Sequence, residues 1–458
     1  MKKNVLIGIS VLLSILISFL IFLKKDTMKS QIWEDESTTG SLNIEKKIDP
    51  SIPAGGIPKK STSIGNVDTK IDVIKQEKMD KNPLLINDIM SNRLYLMEKS
   101  GHVLFEWPLG DQYLGNDAFL LPDGKLLASV KSKSPHIILG GYGGITEYMG
   151  TGAQALWKYE ISSTGVIAHH DTELLPNGNI LTLVWRKIEK KDAKKIGYKS
   201  DIDIYPERIV EINPTTNSIV WRWDSMDHII QDVNPNLPNY GVIEKHPEKI
   251  NLNYANSMSG MIMHGNGLFY DSKNDLIYMS VYNFSEVWVI DHSTSSGEVH
   301  TGKGGNYGRG GDLVYRFGNP SAYGGTGTRI FYSNHHPSFT KQGTFLIYSN
   351  GIKANPEQST AYELKLPSEL DAKKATLISP EIVWSYTHPD LFFDKVGGIV
   401  EAPNGNFILT EGDGKIWEVT REKELVWTYT VKPGMFWRTY VYPYGSPELS
   451  ALGIEEKK

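Results

Sequence analysis

Six short phrases decide how this chain reads: LFEW at 104–107, LWKY at 156–159, VWRW at 220–223, VYRF at 314–317, VWSY at 383–386 and VWTY at 426–429. Each is an apolar residue, an aromatic, any residue and a second aromatic. Side chains two apart lie on one face of a strand, so each phrase presents two rings to one side, as suits a strand packed between layers. Hairpin phrases recur between them: LLPDGK from 120, LLPNGN from 174, APNGNF from 402 and the looser TKQGTF from 340. Asp-Gly and Asn-Gly supply the positive-φ residues of a tight turn, and the apolar runs beside them read as strands. The repeating unit is a hairpin, a third strand and a closing aromatic strand. Closing phrases are 43 to 94 residues apart, against roughly 40 to 50 for a minimal blade. The expectation is an all-β chain forming a six-bladed β-propeller with several long insertions.

The rest of the composition places that ring. Residues 4–23, NVLIGISVLLSILISFLIFL, are 20 residues without a charge, enough to cross a bilayer as a helix. No Ala-x-Ala site or lipobox cysteine follows, so residues 1–25 read as an uncleaved membrane anchor holding the propeller on the extracytoplasmic side. Residues 26–88 lack the propeller phrases and read as a linker, part of which could pair with the outer surface of the ring, and 89–458 read as the propeller. The net charge of −5 leaves no basic stripe for nucleic acid, and the Lys-rich stretch 187–199 reads as a solvated loop. Zero cysteines exclude disulfides, thiolate metal sites and cysteine nucleophiles.

Histidines recur in register with the hairpins. Eight residues before the turn glycines Gly178, Gly343, Gly124 and Gly405 stand His170, His335, Asn116 and Gly397, and His264 takes the corresponding place in the blade whose turn reads SKND. The innermost strands of a propeller start at one mouth of the central channel, so His170, His264 and His335 should converge there. Their neighbours His169 and His336 should face the other way on regular strands. Asp171 and Asn266 should lie just behind the imidazoles and fix their tautomers. Three imidazoles fit a metal site or covalent catalysis on an anionic group, one as nucleophile and two, protonated, as charge stabilisers. Carboxylates to complete a metal site are scarce, which favours the second; no metal or cofactor is expected.

The phrases HHDTELLPNGNIL at 169, MIMHGNGLFYD at 261, MSVYNFSEVWVIDHST at 279, GRGGDLVYRFGNPSAYGGTG at 308, NHHPSF at 334 and APNGNFILTEGDGKIWEVTREKELVWTY at 402 together resemble the bacterial arylsulfotransferases. That family implies a six-bladed propeller and a PAPS-independent, ping-pong transfer of a sulfuryl group from an aryl sulfate donor to a phenolic acceptor through a sulfohistidine. By position, His335 in Asn334-His335-His336 inherits the nucleophile's role, and His170 and His264 bind sulfuryl oxygens. Two positions depart from the family: Tyr282 stands where it has a sulfate-binding arginine, and His336 where it has an aspartate. Arg438 and Arg186 are candidate replacement cations. The departures keep open a second reading, a membrane-tethered ligand-binding propeller without turnover or with altered activity. A quinoprotein-like propeller is a third, since INPTTNSIVW and VIDHSTSSGEV resemble that class's docking repeats, but the repeats are incomplete.

Overall fold

The computed structural model describes residues 68–255, 257–353, 357–367 and 378–456; the predicted anchor lies outside them. No helix among the described residues is long and apolar enough to cross a membrane. Six four-stranded antiparallel blades follow one another around the ring. Blade 2 holds Leu114–Leu120, Leu126–Lys131, Gly144–Met149 and Ala155–Glu160, from channel to rim. Blade 3 holds Val166–Leu174, Ile180–Arg186, Glu207–Asn213 and Ser218–Asp224, and blade 4 Gly265–Asp271, Leu276–Val281, Glu286–Asp291 and Tyr315–Phe317. Blade 5 holds Asn334–Phe339, Phe345–Ser349, Thr360–Lys365 and Glu381–Tyr386, and blade 6 Gly398–Glu401, Phe407–Glu411, Lys415–Val419 and Leu425–Lys432.

Blade 1 closes the ring. Its innermost strand, Phe436–Val441, comes from the C-terminal end and pairs antiparallel with Leu84–Asp88, followed by Arg93–Met97 and Val103–Glu106. One blade therefore has no hairpin between its first two strands, which is why no sixth hairpin phrase occurs in the sequence. This arrangement corrects the boundary between linker and ring. Leu84–Asp88 is a buried blade strand, and Asp68–Val73 adds a fifth strand to the rim of blade 6, from Asp68 opposite Lys432 to Val73 opposite Trp427. Both strands lack the aromatic phrase and the Gly turn, so neither had a local signal.

All six closing phrases are fourth strands, and their paired rings share a face as expected. The rings of Trp427 and Tyr429 stack at 6.1 Å and 6°, those of Trp384 and Tyr386 at 6.1 Å and 11°. Each phrase packs on the next blade. Trp107 joins Leu114 and Ala118; Trp157 joins Ile180 and Val184; Trp223 joins Leu268 and Met279. Phe317 joins Phe345, Trp384 joins Phe407 and Leu409, and Trp427 joins Leu84 and Ile86 across the seam. Five of the indoles also donate to the connection between the third and fourth strands of the next blade: Trp157 to Asn217 Oδ1, Trp221 to the Thr294 carbonyl, Trp223 to the Gly311 carbonyl, Trp384 to the Arg421 carbonyl and Trp427 to the Lys99 carbonyl. INPTTNSIVW and VIDHSTSSGEV hold two of these receiving sites, which accounts for their resemblance to docking repeats.

Trp427→Ala would remove a buried ring and its bond to Lys99 at the seam. We expect a loss of about 3–5 kcal/mol, read as a lower urea midpoint, whereas a loss below about 1 kcal/mol would show that the seam does not depend on this ring.

Candidate active site

The innermost strands do not run straight at the mouth of the channel. Five of the six shift register against their second strand, at Leu114/Ala118, Thr182/Leu183, Gly265/Gly267, His335/Ser338 and Ile86/Asp88, and only Gly398–Glu401 pairs without interruption. Such bulges leave residues unpaired on the ladder and redirect their side chains. His170, His264 and His336 have φ of +51°, +60° and +57°, a left-handed conformation rare for non-glycine residues, costing of order 1–3 kcal/mol each unless the surroundings impose it. Gly141 shows how tightly blade 2 closes on the site. It accepts from the His170 N–H and from Asn116 Nδ2, and a Cβ there would lie 2.0 Å from the His170 ring.

The three predicted imidazoles meet. His170 and His264 have ring centroids 4.8 Å apart, and Tyr282 bridges His264 at 5.2 Å and His335 at 5.6 Å. Trp437, on the closing strand, lies 5.6 Å from His170 and 6.2 Å from His335. They do so from unequal rungs: His335 pairs with Tyr348, His264 precedes the first rung of its strand, and His170 is in a bulge. The eight-residue register was thus approximate, and the bulges make up the difference.

Burial and mutual repulsion keep these rings neutral. Desolvation is the main cause for each: it lowers His264 to about 3 and His335 to about 4, and holds His170 well below the ordinary histidine value. Neighbouring imidazoles push His170 and His264 further down, and Arg438 does the same to His170 and His335. The expected protonated pair is therefore not the state of the ligand-free site. His335 Nδ1 lies 2.6 Å from Asn350 Oδ1, while Asn350 Nδ2 donates to the carbonyls of Phe393 and Val396. Those two bonds fix the amide, so Nδ1 carries the hydrogen of neutral His335 and Nε2 keeps its lone pair.

Asp171 and Asn266 do not touch the imidazoles. Asp171 accepts from both Nη atoms of Arg438 at 3.0 and 2.9 Å and from the Leu268 N–H, and the Asn266 side chain donates to the Asn334 carbonyl. The His335 tautomer is fixed instead by Asn350, and His170 Nδ1 meets His169 Nδ1 at 2.8 Å. The bulge turns His169 toward its neighbour, contrary to the alternation of a regular strand. His336 lies against Gly398 and 6.1 Å from the Tyr440 ring, and burial holds it well below the ordinary histidine value. Asn350 and Trp437 had no sequence signal, because neither falls in the hairpin register.

Neither candidate cation is free at the imidazoles. Arg438 is buried below them, bonded to Asp171, to Asp117 Oδ2 at 3.2 Å and to the Asn266 carbonyl. Burial raises Asp117 to about 7 against the pull of Arg438, so one guanidinium serves two carboxyl groups. Arg186 points to the rim and reaches Asp224. Tyr282 donates its hydroxyl to the Asp394 carbonyl at 2.9 Å. The buried Trp437 Nε1 has no hydrogen-bond partner among the described residues. A cavity of about 660 Å³ opens beside the cluster on blade 2, lined by Tyr113, Tyr142, Lys131, Lys133, Lys158 and Glu147 among others. It does not contain the histidines but shares with them the Gly141-Tyr142 segment. Among the described residues no group of three or more metal-ligating side chains has the arrangement to hold a metal ion.

Two outcomes follow from these electrostatics. Arg438→Ala would leave two buried carboxyl groups without their cation and should cost about 3–5 kcal/mol in a denaturant titration; an unchanged midpoint would mean that the carboxyl groups do not depend on the guanidinium. An anion among neutral imidazoles raises their pKa, so inorganic sulfate binding near pH 7 should take up about one proton. Calorimetry in two buffers of different ionisation enthalpy reads this directly, and zero uptake would mean the rings stay neutral around the anion.

Solved structures that are similar to this chain share little sequence with it. A protein of unknown function from Bacteroides caccae is 13% identical, over 78% of this chain and 98% of that one, with a TM-score of 0.43. A putative 6-phosphogluconolactonase from Bacteroides fragilis is 11% identical, over 81% and 100%, with a TM-score of 0.39. No curated protein matches the sequence. The arylsulfotransferase (ASST) family model matches residues 70–428, from the rim strand of blade 6 to that blade's closing phrase. The chain therefore belongs to the arylsulfotransferase family.

Proposed function

We propose that this chain is an aryl-sulfate sulfotransferase working by double displacement, with His335 as the group that carries the sulfuryl. Family membership supports arylsulfotransferase activity in general. The observation that carries the finer reading is the fixed tautomer of His335, neutral, with Nδ1 engaged by Asn350 and Nε2 unprotonated. In the first half, Nε2 bonds to sulfur as the sulfur–oxygen bond to the aryl group breaks and the phenolate leaves with the electron pair. In the second, a phenol gives up a proton, balancing the one that the departed phenolate takes up, as its oxygen bonds to sulfur; the nitrogen–sulfur bond breaks and His335 recovers its lone pair. Asn350 Oδ1 stabilises the sulfohistidine by holding Nδ1–H.

The transferring group carries negative charge, and this site lacks the family's arginine. His170 and His264, which become better proton holders once an anion is bound, and the unpaired Trp437 N–H are the donors left to take its place. The reading includes attachment to the membrane through residues 4–23, with the ring on the extracytoplasmic side.

A ligand-binding propeller without turnover is the second reading, favoured by the commitment of Arg438 to Asp171 and Asp117 and of the Tyr282 hydroxyl to Asp394. Incubation with a chromogenic aryl sulfate and excess phenol, followed by mass analysis of the protein, separates the two. We expect phenol release and a sulfuryl adduct on His335, both abolished in His335→Ala, and a loss of about 10²- to 10³-fold in Trp437→Phe. Binding of the aryl sulfate without any adduct would establish the second reading.

A further inference from the structure

Glu207, on the third strand of blade 3, is fully buried behind the histidines. Its Oε1 accepts from Trp185 Nε1 at 3.0 Å and from the N–H of Gly265, next to His264, at 2.8 Å. Its Oε2 lies 2.9 Å from His169 Nε2, a close approach without the alignment of a hydrogen bond. His169 lies flat on Trp185, with ring centroids 3.9 Å apart and planes 9° from parallel. Its Nδ1 then faces His170 Nδ1 at 2.8 Å, where only one of the two nitrogens can carry a hydrogen. A carboxylate and two imidazoles thus form one buried line that ends at His170 Nε2, among the converging rings.

We propose that Glu207, His169 and His170 form a proton relay that protonates the departing phenolate and deprotonates the incoming phenol. This rests on the sulfuryl-transfer reading above. Ordinary phenols ionise near pH 10, so an unactivated phenolate needs a proton as it leaves, and a phenol must lose one as it attacks. With aryl sulfate bound, His169 holds hydrogens on both nitrogens beside the Glu207 carboxylate, and His170 holds one on Nε2. As the sulfur–oxygen bond breaks, the His170 Nε2 hydrogen passes to the phenolate and the His169 Nδ1 hydrogen passes to His170 Nδ1. In the second half the acceptor's proton goes to His170 Nε2, and the Nδ1 hydrogen returns to His169. The cycle uses one proton and returns it, while Glu207 stays ionised and holds the His169 imidazolium as a buried carboxylate does. His170 is the catalytic acid and base; His169 and Glu207 are positioning residues that act through it.

Glu207→Gln keeps an oxygen for Trp185 and Gly265 but removes the charge. Single-turnover formation of the His335 adduct should be compared for phenyl sulfate, whose phenolate needs the proton, and nitrophenyl sulfate, whose phenolate leaves unaided. We expect the phenyl sulfate rate to fall about 10²-fold and the nitrophenyl sulfate rate to fall at least tenfold less, with the same selectivity in His169→Asn. Equal losses with both donors, as a merely structural role would give, or no loss with either, overturn the relay. If neither variant folds, a series of substituted phenyl sulfates on the wild-type chain decides: the relay gives a shallow dependence of adduct formation on the leaving phenol's pKa, and a steep one overturns it. Absence of any adduct in the wild type overturns the sulfuryl-transfer reading instead, and the relay with it.

Discussion

Each blade of this ring is held by the aromatic closing strand of the blade before it. A rim strand with two rings on one face cannot bury them within its own four-stranded sheet, so they are buried on the next sheet, where five of the indole nitrogens also find an acceptor. The arrangement is satisfied at every interface only when the last sheet meets the first. That requirement explains why the seam blade borrows Phe436–Val441 from the far end of the chain: the terminal strand ties the closure with main-chain hydrogen bonds as well as with packing.

Closure in turn creates the site. Six innermost strands converge on one axis, and the chemistry stands where bulges break their ladders at the mouth. Backbone strain falls at His170 and His336, within bulges, and at His264, just before its strand begins, and the packed ring is rigid enough to impose it. Gly141 and Gly398 persist where a side chain would collide with an imidazole. Arg438, carried on the closing strand, joins the channel ends of blades 1, 2 and 3 through Asp117 and Asp171, so that the same element completes both the fold and the floor beneath the histidines.

That floor governs the electrostatics. A guanidinium neutralised by two carboxyl groups offers no free cation to substrate, yet it still disfavours charge on the rings above it. In the proposed transfer, neutral imidazoles are the right starting state for a nucleophile, and the positive charge that the sulfuryl group calls for is supplied by protons. The burial of Glu207 and His169 behind His170 gives those protons a defined place to reside.

What was legible in the sequence is what repeats. Aromatic pairs two residues apart and Asn-Gly or Asp-Gly turns are local physics, a strand face and a positive-φ turn, and they fixed the number of blades and the identity of their closing strands. The convergence of His170, His264 and His335 followed, because equivalent positions in blades share an axis. What the tertiary structure alone decided lies between blades or at the seam. Leu84–Asp88 and Asp68–Val73 are strands only because partners far along the chain are there to pair with them. Asp171 and Asn266 stand beside histidines in the chain, but the bulges point them to Arg438 and Asn334, while Asn350, just past the end of a strand, and Glu207, on one, reach the imidazoles from stretches whose local patterns say nothing of a site. A bulge costs the ladder one or two pairings and is sustained by packing from neighbouring blades, so its position cannot be read from the strand that contains it.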